Sequence, residues 1–189
     1  MTGKIILTDI DETVLQFCAP FQAFAEAECI PTHGVLREIY DLDAFLRCDR
    51  ETSEAILAAF VVYDGRNQPA EPCAKLVLPQ MYEEGYRFTG ISACGNDPDF
   101  RVSRLGNLAN EFGFPFDDLL TVELQGSKRD VLAQFDPAVW VEDHFDHAVT
   151  GAELGHRAFL MDKPYNRGRE HPLVTRVAGW NEIYEALNA

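Results

Sequence analysis

Short apolar runs alternate with amphipathic segments along this chain, and the alternation strongly constrains its fold. Strand-sized runs occur at residues 4–8, 86–92, 118–123, 138–141, 157–161 and 174–177. Most of the stretches between the later runs have the apolar spacing and length of helices, as at 99–112, 128–135 and 180–187. Strands separated in this way predict an α/β fold, in which helices cover both faces of a mainly parallel sheet.

The segment between the first two strands has a different, helical texture. Apolar residues recur at helical spacing in Pro20–Cys29, Thr52–Val62 and Pro72–Glu84. Thr52 or Ser53 is the expected N-cap of the second helix. We therefore expect a core formed by residues 1–17 and 73–189, with residues 18–72 inserted as a helical cap segment.

Composition excludes several classes of protein. The 189 residues are 47% apolar, enough for one sizeable core, and no run approaches the roughly 18 apolar residues of a membrane span. A formal charge of −15 disfavours binding to duplex DNA or anionic membranes. Met1 leads directly into a strand pattern without a secretory signal, so a cytoplasmic protein is expected. The oligomeric state is left open.

The five cysteines favour neither a zinc site nor a disulfide framework. Their number is odd and no two have CxxC spacing. Reduced thiols, buried or partly buried, are the expectation.

Two aspartates follow the first strand at positions 9 and 11. Residues two apart in an extended segment point the same way, so both carboxylates are expected on one side. Such a pair can bind a hard cation, attack an electrophile or transfer a proton. An acidic turn with Thr13 as the N-cap of a helix explains the same residues equally well.

A hydroxyl and a lysine stand at later strand and helix ends. Ser92 ends the second strand before small residues, an arrangement that can bind an anion; Thr89, within the strand, is a weaker candidate. Lys128 is expected to open a helix, where the helix dipole disfavours a cation unless it serves a bound anion. Each residue alone is also explained by an ordinary loop or surface position.

A second acidic cluster, Glu142, Asp143 and Asp146, follows the strand that ends at Val141. Carboxylates at the end of a buried strand repel one another unless a cation is near. Parallel sheets collect ligands at the carboxyl ends of their strands, so these groups are expected to meet. Together they form a complete set for phosphoryl transfer: carboxylates for Mg²⁺, a hydroxyl and a lysine for phosphate, and a nucleophile.

This ordered set resembles the four motifs of the haloacid dehalogenase (HAD) superfamily. Its first motif, DxDx[TV], matches Asp9, Asp11 and Thr13, and the other three match Ser92, Lys128 and Glu142-Asp143. The resemblance implies a Rossmann-like sheet, Asp9 as nucleophile and Asp11 as general acid and base. It also implies Mg²⁺ held by Asp9, the Asp11 carbonyl and Asp143, while Glu142 and Asp146 orient Asp143 or Lys128.

A narrower resemblance is to the 5′(3′)-deoxyribonucleotidases, which implies a 5′-nucleotidase whose small phosphomonoester substrate is a (deoxy)ribonucleoside monophosphate. The cap segment is similarly placed, and both the sequence PYN at 164–166 and Trp180 fit, although Glu12-Thr13 departs from the usual DxDGV. Candidate base-stacking residues are Phe17, Phe21, Phe60 and Tyr63, each of which core packing also explains. Candidates for a second anionic group are Arg47, Arg50 and Arg66. Alternatives are a sugar phosphatase, a mutase, a dehalogenase and a non-catalytic binding domain, of which the dehalogenase is disfavoured by Asp11.

Overall fold

A six-stranded parallel sheet forms the centre of the computed structural model, which describes residues 4–63, 67–124 and 126–189. The strand order is β3-β2-β1-β4-β5-β6. The strands are β1 Lys4–Thr8, β2 Tyr86–Ser92, β3 Asp118–Thr121, β4 Val139–Glu142, β5 Arg157–Met161 and β6 Val174–Val177. The chain moves outward from β1 in one direction and then returns to build β4 to β6 on the other side. This confirms the expected Rossmann-like α/β fold.

Helices surround the sheet and fill the segment between β1 and β2. They are α1 Cys18–Ala27, α2 Leu36–Ile39, α3 Leu42–Leu46, α4 Arg50–Tyr63, α5 Pro72–Glu83, α6 Pro98–Phe112, α7 Arg129–Leu132, α8 Phe145–Glu153 and α9 Trp180–Asn188. A single 3₁₀ turn, Pro164–Asn166, follows β5. Within the described ranges, every helix is too short or too polar to cross a bilayer.

Pairing partners explain where the strands end. β3 stops at Thr121 rather than at the expected Glu123, because Thr121 pairs with Ser92 and β2 ends there. β4 extends one residue further than expected, because Glu142 pairs with Leu160 of β5. The carboxyl ends of the central strands therefore lie at one edge of the sheet.

Helices α4 and α7 do not begin where the sequence predicts. Helix α4 begins at Arg50, and the Asp49 side chain, not Thr52 or Ser53, caps it by accepting from the Thr52 N–H at 2.9 Å. The α-helix expected at 128–135 is only Arg129–Leu132, so Lys128 precedes it. Helix α8 begins at Phe145, three residues after β4 ends at Glu142.

Apolar side chains collect in separate clusters. One lies on the sheet and includes Ile6, Phe88 and Trp180. Another lies within α1 to α4 and consists of Cys18, Phe21, Phe24, Leu36, Phe45, Leu46 and Phe60. The helices before α5 thus have an apolar centre of their own. All five cysteines are free, and Cys29 and Cys73 are exposed rather than buried as expected.

Candidate active site

A compact turn presents Asp9 at the end of β1. The Asp9 N–H still donates to the Val141 carbonyl of β4 at 2.8 Å, so the residue belongs to the sheet edge. The Ile10 carbonyl then accepts from the next residues of the turn, including the Val14 N–H at 2.9 Å. The Trp180 indole donates to the Thr13 carbonyl at 2.9 Å and braces the turn from α9. Asp9 is therefore held by neighbours on both sides.

Lys128 bridges two carboxylates beside this turn. Its Nζ lies 2.5 Å from Asp9 Oδ1 and 2.8 Å from Glu142 Oε2. All three side chains are buried. A buried lysine needs such partners, because an unpaired charge inside a protein is costly.

Burial and repulsion perturb the acids of this cluster. Burial raises the pKa of Asp9 to about 7. Lys128 acts to lower this pKa, and repulsion from Asp143 and Asp11 offsets part of that effect. Burial also raises the pKa of Asp143 to about 7, with repulsion from Glu142 adding to the effect. Burial opposes the charge on Lys128, but Asp9 and Glu142 raise its pKa above the ordinary value. The lysine is thus charged while the carboxylates around it repel one another.

Asp143 is held by the loops around it. The Thr13 hydroxyl donates to Asp143 Oδ1 at 3.2 Å, and the Tyr165 hydroxyl donates to Oδ2. Asn166 Nδ2 donates to the Asp143 carbonyl at 2.7 Å. The Tyr165 ring in turn stacks on Tyr40, with the ring centroids 4.0 Å apart. The 3₁₀ turn therefore joins this carboxylate to a residue just after α2.

The carboxylates of Asp9, Glu142 and Asp143 fit a hard cation. One oxygen of each lies within 4.8 Å of the others, and all three residues are buried. Glu142 already accepts from Lys128 and from the N–H groups of Asp143 and His144 at 3.0 Å each. Asp9 and Asp143 are therefore the carboxylates better able to bind an ion. The Asp11 side chain is not in this group.

Asp11 faces a cavity of about 720 Å³ that opens beside the cluster. Its Oδ1 accepts from Arg104 Nη2 at 3.0 Å. Ser92, at the end of β2, lines the same cavity together with Asp9 and Lys128. The structure thus brings together the predicted aspartates, hydroxyl and lysine.

The predicted cap residues are placed differently from one another. Phe17 and Phe60 line the cavity, but Phe60, like Phe21, is fully buried in the apolar cluster of α1 to α4, so Phe17 is the only one of the three that is partly exposed. Arg50 lines the cavity and pairs with Glu54, while Arg47 is exposed and does not line it. The side chain of Tyr63 and all of Arg66 lie outside the described residues.

Asp146 does not take the predicted position. Its carboxylate forms a bidentate pair with Arg169 at the surface, with contacts of 3.0 and 2.5 Å. Because it is the second residue of α8, its side chain follows the helix instead of the strand end. The expectation that Asp146 orients Asp143 or Lys128 is therefore wrong, because its carboxylate pairs with Arg169 instead.

A second ionic cluster lies behind the turn. Glu12, at a positive φ of 57°, accepts from the Phe17 and Cys18 N–H groups at the start of α1. Its other oxygen lies 3.3 Å from Arg37 Nε and 3.5 Å from Lys163 Nζ. Burial would raise the pKa of Glu12, but Lys163 and the two N–H groups hold it below 4.5. This buried glutamate joins β1, α1, α2 and the loop after β5.

Sequence reasoning missed Arg104 and the role of Tyr165 as a contact. Arg104 lies between Phe100 and Leu108 on the buried face of α6, an arginine in an apolar i, i+4, i+8 stripe, which is a readable signal. The sequence carries no signal for Tyr165 beyond its place in the PYN sequence, because its contact with Asp143 joins residues that are 22 positions apart.

Comparison with known proteins adds to this geometry. No family model matches the chain. An uncharacterized 32.4 kDa protein from the Gp30-rIII intergenic region of Enterobacteria phage T4 is 22% identical over 192 residues, which cover 96% of this chain and 69% of that one.

Solved structures decide the fold. The HAD-hydrolase YfnB from Bacillus subtilis, bound to magnesium, superposes with a TM-score of 0.63 at 15% identity over 100% of each chain. The chain has a HAD-like fold. CbbY from Rhodobacter sphaeroides, in complex with phosphate, matches with a TM-score of 0.63 at 17% identity over 96% of each chain. Protein tyrosine kinase A from Mycobacterium tuberculosis matches with a TM-score of 0.71 at 19% identity over 99% of each. The HAD-like fold thus accommodates different activities.

Proposed function

We propose that this protein is a phosphomonoester hydrolase that acts through a phosphoaspartate at Asp9. The observation that carries the proposal is the buried Asp9 carboxylate, bridged by Lys128 to Glu142 and opening onto the cavity that Asp11 and Ser92 line. The structural neighbours, HAD-superfamily hydrolases and phosphatases, support the same reaction class.

In the first step an Asp9 oxygen attacks phosphorus and the bond to the ester oxygen breaks. The leaving oxygen takes a proton from Asp11, which becomes a carboxylate. Ser92 and Lys128 bind the phosphoryl oxygens, and the lysine charge stabilises the charge that develops on them.

In the second step water attacks the phosphorus of the phosphoaspartate. Asp11 takes the proton from this water, and the bond between phosphorus and the Asp9 oxygen breaks. Phosphate leaves, Asp9 is again a carboxylate, and Asp11 again carries a proton. The sum is the hydrolysis of one ester to an alcohol and phosphate.

Mg²⁺ is the cofactor that we propose for this site. Asp9 and Asp143 would hold it with their carboxylates, the Asp11 carbonyl would supply a further oxygen, and Thr13 and Glu142 would orient these groups. The ion would offset the repulsion among the acids and neutralise phosphate charge.

The substrate that we propose is a 5′-nucleoside monophosphate. Phe17 lines the cavity, is partly exposed and offers aromatic surface to a base, with the buried Phe60 packed behind it. Tyr165 and Asn166 contact Asp143, and Trp180 contacts Thr13. The PYN sequence and the tryptophan on which the nucleotidase resemblance rests therefore contact residues of this site, which supports a nucleotidase.

A sugar phosphate is the second candidate. Asp41, Asp43 and Asp97 line the cavity and can accept hydrogen bonds from sugar hydroxyls. A dehalogenase ranks lower because of the proton shuttle Asp11, and a non-catalytic binding domain ranks lower because Asp9, Asp11, Lys128 and Asp143 are all present. A mutase uses the same set and remains an alternative.

The test is phosphate release from a panel of nucleoside monophosphates and sugar phosphates, with Mg²⁺ and with EDTA. We expect Mg²⁺-dependent release that is fastest with nucleotides. Faster release from sugar phosphates would favour the second candidate. Absence of release from every ester would overturn the hydrolase itself.

A further inference from the structure

Arg104 has a buried nitrogen that the described protein does not pair. The side chain is only 4% exposed and extends from α6 to the cavity wall. Nη2 is bound to Asp11 Oδ1 at 3.0 Å, whereas Nη1 has no hydrogen-bond partner among the described residues. A buried donor without a partner has lost its hydrogen bonds to water, so this donor favours a ligand that pairs it.

The position of Arg104 limits which part of a substrate it can reach. Its guanidinium holds Asp11, the proposed proton donor to the ester oxygen, and lies 4.9 Å from the centre of the Phe100 ring. Both contacts fix the planar fork. The guanidinium therefore lies beside the alcohol part of the ester rather than the phosphoryl group at Lys128, and Nη1, which is closed to solvent in this structure, meets a ligand there once the side chain turns toward the cavity.

The charges around the cavity indicate an uncharged partner for Nη1. Among the described residues that line it, seven carry carboxylates and three carry cations, Arg50, Arg104 and Lys128. Each of these cations already contacts a carboxylate. A second phosphate or a carboxylate on the substrate would be repelled, whereas an ether, hydroxyl or carbonyl oxygen would not.

We propose that Arg104 forms a subsite for an uncharged oxygen acceptor on the alcohol part of a phosphomonoester, so that the enzyme prefers neutral alcohols to anionic ones. The proposal rests on the phosphatase function proposed above and adds a specificity-determining residue to it. The opposing interpretation is that Nη1 turns inward to the unpaired oxygens of Asn107 or Gln68 and never meets a substrate.

Three esters of matched shape separate these interpretations: n-butyl, 2-methoxyethyl and 2-carboxyethyl phosphate. They are compared by kcat/KM or, where turnover is slow, as competitive inhibitors of p-nitrophenyl phosphate hydrolysis. We expect the ratio of methoxyethyl to butyl ester to fall about tenfold in Arg104→Met, the size expected for one hydrogen bond from a charged donor. In the wild type the carboxyethyl ester should be no better than the butyl ester.

Two further variants keep the test decisive. Arg101→Met, one turn earlier on α6, removes an arginine that pairs with Asp118 and should leave the ratio unchanged. Arg104→Lys retains a cation beside Asp11 but loses the fork, and should lose the same preference even if the methionine variant misfolds. An unchanged ratio in folded Arg104 variants, or a wild-type preference for the carboxyethyl ester, overturns the subsite and leaves the hydrolase intact. Failure of the wild type to hydrolyse p-nitrophenyl phosphate or any of the three esters overturns the hydrolase, and the subsite with it.

Discussion

Asp9 and Asp11 stand two positions apart, yet their carboxylates have different partners. Asp9 is bound to Lys128 at 2.5 Å within the acidic cluster, whereas Asp11 is bound to Arg104 at 3.0 Å on the cavity wall. Both residues line the same cavity. Asp9 therefore lies beside the phosphoryl site, and Asp11 lies beside the leaving alcohol.

This division predicts different effects of losing Asp11 on two kinds of ester. An alkyl alcohol needs a proton to leave, whereas p-nitrophenolate leaves largely unaided, so Asp11→Asn should lose much more activity on a nucleoside monophosphate. We expect the difference to be about 10²- to 10⁴-fold in single-turnover rates, the usual contribution of general acid catalysis. Single-turnover measurement avoids masking by slow dephosphorylation. Equal losses on both esters would contradict the proton-donor role of Asp11.

How far the sequence predicts this site depends on the range of each contact. Asp9, Lys128 and Asp143 were predictable because each adjoins a strand or helix end, and parallel strands bring their carboxyl ends together. The ion pairs of Glu12 with Arg37 and Lys163 were not, because they join elements up to 151 residues apart with no local pattern. Asp146 was misplaced because the start of α8 turns it toward Arg169.

At the scale of elements, α8 packs very closely on the strand that carries Glu142. Gly151 of α8 faces the Trp140 ring of β4, and a Cβ at this glycine would lie 2.2 Å from the ring. Trp140 is fully buried and its indole donates to the His147 carbonyl at 3.1 Å. The approach of α8 therefore depends on the absence of a side chain, which neither the helix nor the strand pattern predicted.

Gly151→Ala should destabilise the protein by about 1–3 kcal/mol, because the ring or the helix must move to accept the methyl group. Gly106→Ala is the matched control, since a Cβ there meets nothing within 4 Å on α6. The control should stabilise the protein by about 0.5–1 kcal/mol, the usual cost of glycine in a helix. Chemical denaturation of the two variants measures both effects. Equal stability of the two variants would show that α8 is not packed in this way.

At the scale of the whole molecule, the acidic cluster opposes folding unless a cation offsets it. The pKa values of Asp9 and Asp143 are raised to about 7 by burial first and then by repulsion among the acids. The folded state therefore binds more protons than the unfolded state between about pH 4 and pH 7. The contribution of these two carboxyl groups to stability therefore falls as pH rises through that window.

We expect Asp9 and Asp143 to contribute on the order of 2 kcal/mol more to the free energy of unfolding in EDTA at pH 5.5 than at pH 8, while His144 and His147, whose pKa values burial lowers, contribute in the opposite direction. The difference between the free energies at pH 5.5 and pH 8 should therefore be less positive in Asp143→Asn than in the wild type, whereas Asp146→Asn, whose exposed carboxylate pairs with Arg169, should leave it unchanged. Mg²⁺ should raise Tm more at pH 8 than at pH 5.5, because binding then competes less with protons. The same slope in all three proteins would contradict the repulsive cluster.

The central claim is that Asp9 attacks phosphorus, and the most direct measurement is phosphate release by wild type and by Asp9→Asn. The change is nearly isosteric, so circular dichroism should report an unaltered fold. With p-nitrophenyl phosphate and Mg²⁺, the wild type should release phosphate and the variant should be slower by at least about a thousandfold. The activated leaving group makes the attack by Asp9 independent of proton donation by Asp11. Release by folded Asp9→Asn at a rate near that of the wild type would contradict the covalent mechanism.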